Sequence, residues 1–394
     1  MLISNFAKRA LKIGLILVVS LLAVEFLMTV LDPYLFKDRF EYDPDMGFKV
    51  RAYSPTGLGL HGRRDDGTLT NRFGFNDRDY SLQKTAEVFR IMVVGDSFGW
   101  AGGLEDNYTA ILERKFESRD GAHKIDVVNT GYPGTHTAEQ LIMLKKFALQ
   151  YNPDLVILGF FAGNDFCDAD PNRKRIVVNK YFLDIDRRYE LRLLGYPVVA
   201  RSRLWLFLKN KFESGAMNAE AKREGEEWAA ATGQPKPFLN LPTETYLAVQ
   251  RAKLEFFNKT TSANAFGAHI AYIFKAIDEM NELLKSKGIK FMVAIYPDEF
   301  QVSPVQFDTL VEHFGLKKED YDLDLAQNLL KTFLESKHIS YLDMLDRFRT
   351  EESRRELYLY KNTHWNEAGN SLAADVLFQY LSGQPYEFNK GVVK

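Results

Sequence analysis

Five short apolar runs alternate with amphipathic stretches from Val88 onward. "VFRIMVV" (from Val88), "KIDVVN" (from Lys124), "DLVILGFF" (from Asp154), "KFMVAIY" (from Lys290) and "ISYLD" (from Ile339) have the length of strands. Several are apolar at successive rather than alternate positions, as expected of strands covered on both faces. Between them, apolar residues recur at helical spacing over about Asp106 to Glu117, Thr137 to Tyr151, His269 to Ser286 and Asp322 to Ser336. Thr137 followed by Gln140 has the pattern of a capping box at one of these starts. A last helix follows Asn366 and runs to about Leu381. Strands alternating with helices predict parallel pairing with helices on both faces, a doubly wound α/β domain.

Two regions break the rhythm. From about Asp168 to Ala265 the chain is too long for a simple connection between the third and fourth strands, and it predicts an insertion with its own hairpin and helices. Its aromatic residues, Tyr181, Phe182, Tyr189, Trp205, Phe207 and Trp228, stand among Arg173, Lys174, Arg187 and Arg188. They read as an ordinary small core ahead of a surface that stacks on sugar rings. Residues 32–87 are polar and turn-rich, an extended lead-in in which Arg63 and Arg64 read as solvated.

The N-terminus has a pattern of another kind. Lys8, Arg9 and Lys12 precede an apolar run from Ile13 to Leu31, about the length that crosses a bilayer. Positive charge on the N-terminal flank, with no small-residue cleavage pattern after the run, predicts an uncleaved signal anchor. Residues 1–12 are then cytoplasmic, 13–31 span the membrane, and the rest is extracytoplasmic. Glu25 is the costly residue in that run, to be placed at a helix contact or near the outer interface.

Composition narrows the functional classes. With 51 basic and 53 acidic residues among 394, the net charge of -2 leaves no electrostatic footprint for nucleic acid. The single cysteine, Cys167, rules out an internal disulfide and a cysteine-built zinc site. His61, His123, His269, His313 and His338 fall in no metal-ligand spacing, and Gly102 and Gly103 lack the ending of a phosphate loop. No metal or cofactor is implied.

Ligands of an open α/β sheet bind beyond the carboxyl ends of its strands. The first strand delivers Gly95, Asp96 and Ser97; the second Asn129, then Gly131 and Gly134; the third Gly163, Asn164 and Asp165. "KNTHWNEAG" places His364 just before the last helix. Each piece alone is ordinary turn or cap chemistry. Together they bring one hydroxyl, one imidazole and several oxyanion donors to one sheet edge. His136 reads as a structural helix-start residue, and Asp165 as a brace for its loop.

These blocks, "GDSF", "NTGYPG", "GND" and "THWNEAG", resemble those of the SGNH hydrolases, the GDSL esterase/lipase superfamily, over about Val88 to Leu381. The resemblance implies a flavodoxin-like parallel sheet over residues 88–385, interrupted by the insertion at about 168–265 and followed by a tail at 386–394. It also implies Ser97 as nucleophile, His364 as base, and an oxyanion hole from the amides of Ser97 and Gly134 and the side chain of Asn164. More loosely, the "THWN" form is similar to membrane-anchored members that include exopolysaccharide O-acetyltransferases and their accessory proteins.

In one position the pattern differs. The family places an aspartate two or three residues before the histidine, where this chain has Asn362 and Lys361. Asparagine orients an imidazole but supplies no charge to the imidazolium. Either Asn362 serves as a weaker orienter, or a carboxylate such as Asp343 or Asp298 substitutes, or catalysis is lost. The expected function is an extracytoplasmic serine esterase that removes O-acyl, chiefly O-acetyl, groups from a glycan or other small ester. The alternatives are an O-acetyltransferase using the same residues, with a membrane-embedded acyl donor protein as partner, and an inactive glycan-binding scaffold.

Overall fold

The computed structural model describes residues 5–35, 40–53, 69–120, 124–178, 181–186, 192–193, 196–197, 202–237 and 240–384. Arg63, Arg64, His61, His123, Arg187, Arg188, Tyr189 and the tail at 386–394 lie outside the described residues.

In chain order the main elements are α1 (Asn5–Leu35), β1 (Phe40–Glu41), β2 (Lys49–Val50), β3 (Val88–Val94), α2 (Tyr108–Asp120), β4 (Lys124–Asn129), α3 (Thr137–Lys146) and β5 (Leu155–Phe161). They continue with β6 (Arg173–Val178), β7 (Tyr181–Asp186), α4 (Arg203–Thr232), α5 (Thr243–Leu254), α6 (Gly267–Ser286) and β8 (Lys290–Tyr296). The chain ends with α7 (Pro304–Phe314), α8 (Leu325–Ser336), β9 (Ser340–Asp343), α9 (Leu345–Glu352) and α10 (Glu367–Ser382).

All five expected strands form one parallel sheet in the order β9-β8-β5-β3-β4. Counted along the sheet strands alone, this is the flavodoxin-like order 2-1-3-4-5, with β3 between β4 and β5. Alternate residues of each strand feed opposite cores. Met92, Val94, Leu158 and Ile295 pack with α3, α6 and α8, while Ile91, Val93, Ile157 and Ala294 pack with α2, α9 and α10. Every residue of β5 is buried, which is why its sequence shows no alternation.

The helix expected from Asp106 is broken at Asn107, whose side chain bonds the carbonyls of Phe98 and Ala101 at 2.9 and 2.6 Å. The capping box at the start of α3 lies one residue earlier than expected: His136 is the cap and Glu139, not Gln140, returns to it. Glu139 Oε2 accepts from the His136 N–H at 3.3 Å, while Gln140 turns its amide to the Thr135 carbonyl. The short α7 and α9 escaped the periodicity, being 11 and 8 residues long. The signal was present for α7, since Ser303 caps it and Pro304 opens it.

The lead-in packs on the domain through Phe48 and Phe75, both fully buried, and Asp77 accepts the Asn129 N–H at 2.7 Å. In the long connection after β5, residues 203–232 form the single 30-residue helix α4. Its Trp205 is 64% exposed, so it belongs to no core, whereas Trp228 stacks on Tyr360 with ring centroids 4.7 Å apart. The last part of the connection joins the main core, burying Tyr246, Leu247 and Leu254 of α5 against it. Within α1, Ala7–Met28 is long and apolar enough to cross a membrane, with a mean hydropathy of 2.3 and none of it buried.

Candidate active site

The turn after β3 is shaped by Asp96. Its Oδ1 accepts the Phe98 N–H at 3.0 Å and caps a single 3-10 turn, Ser97–Gly99, which sets Ser97 at the strand end. The neighbouring block must come very close: a Cβ on Gly99 or Gly131 would meet the other's Cα at 2.8 or 2.7 Å. Asn129 fastens the two, accepting from Gly131 N–H at 2.9 Å and donating to the Gly99 carbonyl at 2.5 Å.

On the other side of the site, the loop before α10 is built by "HWN". Trp365 is fully buried against Phe98, Tyr108, Tyr296 and Phe348. Asn366 caps α10 through the Gly369 N–H at 3.0 Å and donates to the carbonyls of Glu356 and Tyr358. Lys361 takes the left-handed conformation at φ +45 and is tied to Glu224 at 2.7 Å, turning the chain so that Asn362 faces back. These anchors hold His364 between two partners.

His364 Nε2 lies 2.7 Å from Ser97 Oγ, and its Nδ1 lies 2.6 Å from Asn362 Oδ1. The same Oδ1 accepts the backbone N–H of His364 at 3.2 Å. Only an oxygen accepts, so Nδ1 opposite it carries the proton and Nε2 presents its lone pair to the serine. That is the tautomer a general base needs. Burial, and then the charge of Lys253, hold the imidazole down to about 4, so it is neutral in the resting site.

Neither alternative carboxylate replaces Asn362. Asp343 is engaged with Lys331 at 3.0 Å and caps Leu345. Asp298 is fully buried and paired with Lys253 at 2.8 Å. The Asp298–Lys253 pair sits directly under the third block, since a Cβ on Gly163 would meet Asp298 Oδ2 at 2.2 Å. Two further acids are buried there: Asp165 accepts the Phe161 N–H at 2.9 Å and braces the turn, and burial pushes Asp96 up to about 7.

Gly134 and Asn164 stand at the ends of β4 and β5, the strands on either side of β3. Gly134 is left-handed at φ +73, and the Asn164 amide donates to Asp168 Oδ2 at 3.2 Å. Between them reaches Arg175 of β6, 4.0 Å from Asp168 and within 2.8 Å of where a Gly134 Cβ would be. His136 lies at the base of this wall, with Nε2 3.8 Å from Glu139. Sequence reasoning missed Arg175 and Lys253. Both come from the long connection, and no local pattern marks them as neighbours of the strand ends.

The fold is SGNH hydrolase-like, and at its sheet edge Ser97 and His364 stand 2.7 Å apart. Residues 256–390, which hold the His364 loop but not Ser97, match the family described as SGNH hydrolase-like domain, acetyltransferase AlgX. Among solved structures, the chain is similar to the acetyl xylan esterase AlAXEase at 13% identity, covering 74% of this chain and 100% of that one with a TM-score of 0.40. It is also similar to a lipase/acylhydrolase from Enterococcus faecalis, at 12% identity over 75% and 96% of the two chains with a TM-score of 0.39. For a catalytic mutant of an acetylxylan esterase from Geobacillus stearothermophilus the figures are 13%, 75%, 95% and 0.38. No curated protein matches the sequence.

Proposed function

We propose that the chain is a membrane-anchored serine esterase that removes O-acetyl groups from a glycan outside the cytoplasm, through an acyl-serine intermediate. The observation that carries this reading is the relay from Ser97 through His364 to Asn362, at 2.7 and 2.6 Å. Ser97 Oγ attacks the ester carbonyl while His364 Nε2 takes its proton. The amides of Ser97 and Gly134 and the Asn164 side chain hold the oxyanion, which draws Asn164 away from Asp168. The tetrahedral adduct collapses to acyl-serine as His364 protonates the departing alkoxide, and water activated by the same imidazole releases acetate.

Transfer to a sugar hydroxyl is a second reading, favoured by the acetyltransferase family matched over residues 256–390. It uses the same acyl-serine and replaces water with an alcohol. Labelling of the full chain by a fluorophosphonate, lost in Ser97→Ala and His364→Ala, tests the shared step. A folded wild-type sample that does not label removes both readings in favour of a binding scaffold. Acetate release against acetyl transfer, measured with an acetyl donor and oligosaccharide acceptors, then separates hydrolase from transferase.

A further inference from the structure

We infer that the first three turns of α4 dock into the membrane–water boundary on the side where α1 leaves the bilayer; this rests on the reading that α1 spans a membrane. Glu25 lies three residues before the end of the apolar stretch Ala7–Met28. That stretch, at 1.5 Å per residue, is about 33 Å long, so Glu25 stands about 4–5 Å inside its end. A carboxylate at this depth needs partners. It has them at the start of α4: the preceding Ser202 donates through Oγ at 2.9 Å, and the backbone N–H groups of Arg203 and Leu204 donate as well, the latter at 3.2 Å. These are first-turn donors that no helix satisfies internally, at the positive end of its dipole. Glu25 thus caps α4 and pins its start to α1 at the boundary.

The opening turns of α4 have a composition suited to that place. Residues 203–212, "RLWLFLKNKF", hold three basic residues and no acidic one. Trp205, Leu208 and Phe212 are 64%, 39% and 76% exposed, and their spacing sets them within an arc of about 60° on one face of the helix. Lys209 and Lys211 are exposed beside them. An aromatic stripe flanked by lysines is the composition of a helix lying in a lipid interface, with lysines reaching anionic headgroups. Beyond Phe212 the helix turns polar, and its far half is fixed to the domain by Glu224 on Lys361 and Trp228 on Tyr360. Lys361 adjoins Asn362, so docking of α4 also sets how the catalytic loop faces the membrane.

The test uses the full chain with Cys167→Ala, reconstituted in nanodiscs of phosphatidylcholine and phosphatidylglycerol. A bimane label is placed through Trp205→Cys, Phe212→Cys, Glu220→Cys or Val18→Cys in turn. Shallow nitroxide lipids are expected to quench labels at 205 and 212 at least about twofold more than at 220, and deep nitroxide lipids to quench the label at 18. Quenching at 18 with labels at 205 and 212 no more quenched than at 220 overturns the docking alone. No quenching at 18 removes the span itself, and the docking with it.

Discussion

Restoring a carboxylate beside the His364 imidazole should speed the proposed ester hydrolysis. In the resting site Asn362 Oδ1 already faces Nδ1 at 2.6 Å, so the ring has the correct tautomer and orientation. What asparagine lacks is charge. An opposite charge within 4–6 Å shifts a pKa by about 1–3 units, each worth about 1.4 kcal/mol. Asn362→Asp therefore stabilises the imidazolium formed in the transition state by about 1.4–4 kcal/mol, a gain of about 10- to 1,000-fold in kcat/KM. The upper end agrees with the about 4 kcal/mol that two charges 4 Å apart exchange at an effective dielectric of 20. The gain stays below the about 10⁴-fold loss seen when asparagine replaces a triad aspartate, because part of that loss comes from the wrong tautomer. The pH profile supplies a second readout. With His364 held down to about 4 and acting in the proposed mechanism as the neutral base, wild-type kcat/KM should be flat above about 5 and fall tenfold per unit below about 4. In Asn362→Asp the acid limb moves to higher pH by about 1–3 units. Measuring ester hydrolysis and the rate of phosphonate labelling from pH 3.5 to 8 reads both. A folded Asn362→Asp protein with an unmoved acid limb and no faster labelling refutes the argument.

Other substitutions probe the site and its supports. Asn164→Ala should lower kcat by about 100- to 1,000-fold with little change in melting temperature, as removal of one oxyanion donor does; unchanged kcat would take Asn164 out of the oxyanion hole. Lys253→Met leaves the fully buried Asp298 without its 2.8 Å partner, so chemical denaturation should show a loss of about 3–5 kcal/mol. It also removes a cation that holds His364 down, so any surviving activity should show its acid limb at higher pH, and a fixed limb would count against that coupling. Asn366→Ala removes the cap of α10 and two bonds to the Glu356 and Tyr358 carbonyls, for a loss of about 2–3 kcal/mol in the same assay. Gly369→Ala should be worse than an ordinary helix substitution, because its Cβ would meet the Leu357 carbonyl oxygen at 2.3 Å; a wild-type melting temperature would contradict that packing.

The sheet could be read from the chain because its strands are buried on both faces, and continuous apolar runs such as "LVILGFF" have few other uses. That the turns after β3, β4 and β5 come to one edge was legible for a related reason: parallel neighbouring strands must deliver their carboxyl ends to the same side of the sheet. Helix starts were less so, since the box at α3 moved from Thr137 to His136 when the backbone of the preceding turn chose which residue caps. Three matters were settled only in three dimensions. Asn362 rather than Asp298 or Asp343 reaches His364, because the left-handed turn at Lys361 aims it there while the two aspartates are held by lysines of α5 and α8. Arg175 and Lys253 stand at the site through the long connection, whose path no local period encodes. Glu25, costly in an apolar run when read alone, meets the first-turn N–H groups that begin α4. Local pattern determines which faces must be buried, whereas the pairing of charged and polar groups far apart in the chain depends on how those faces close on each other.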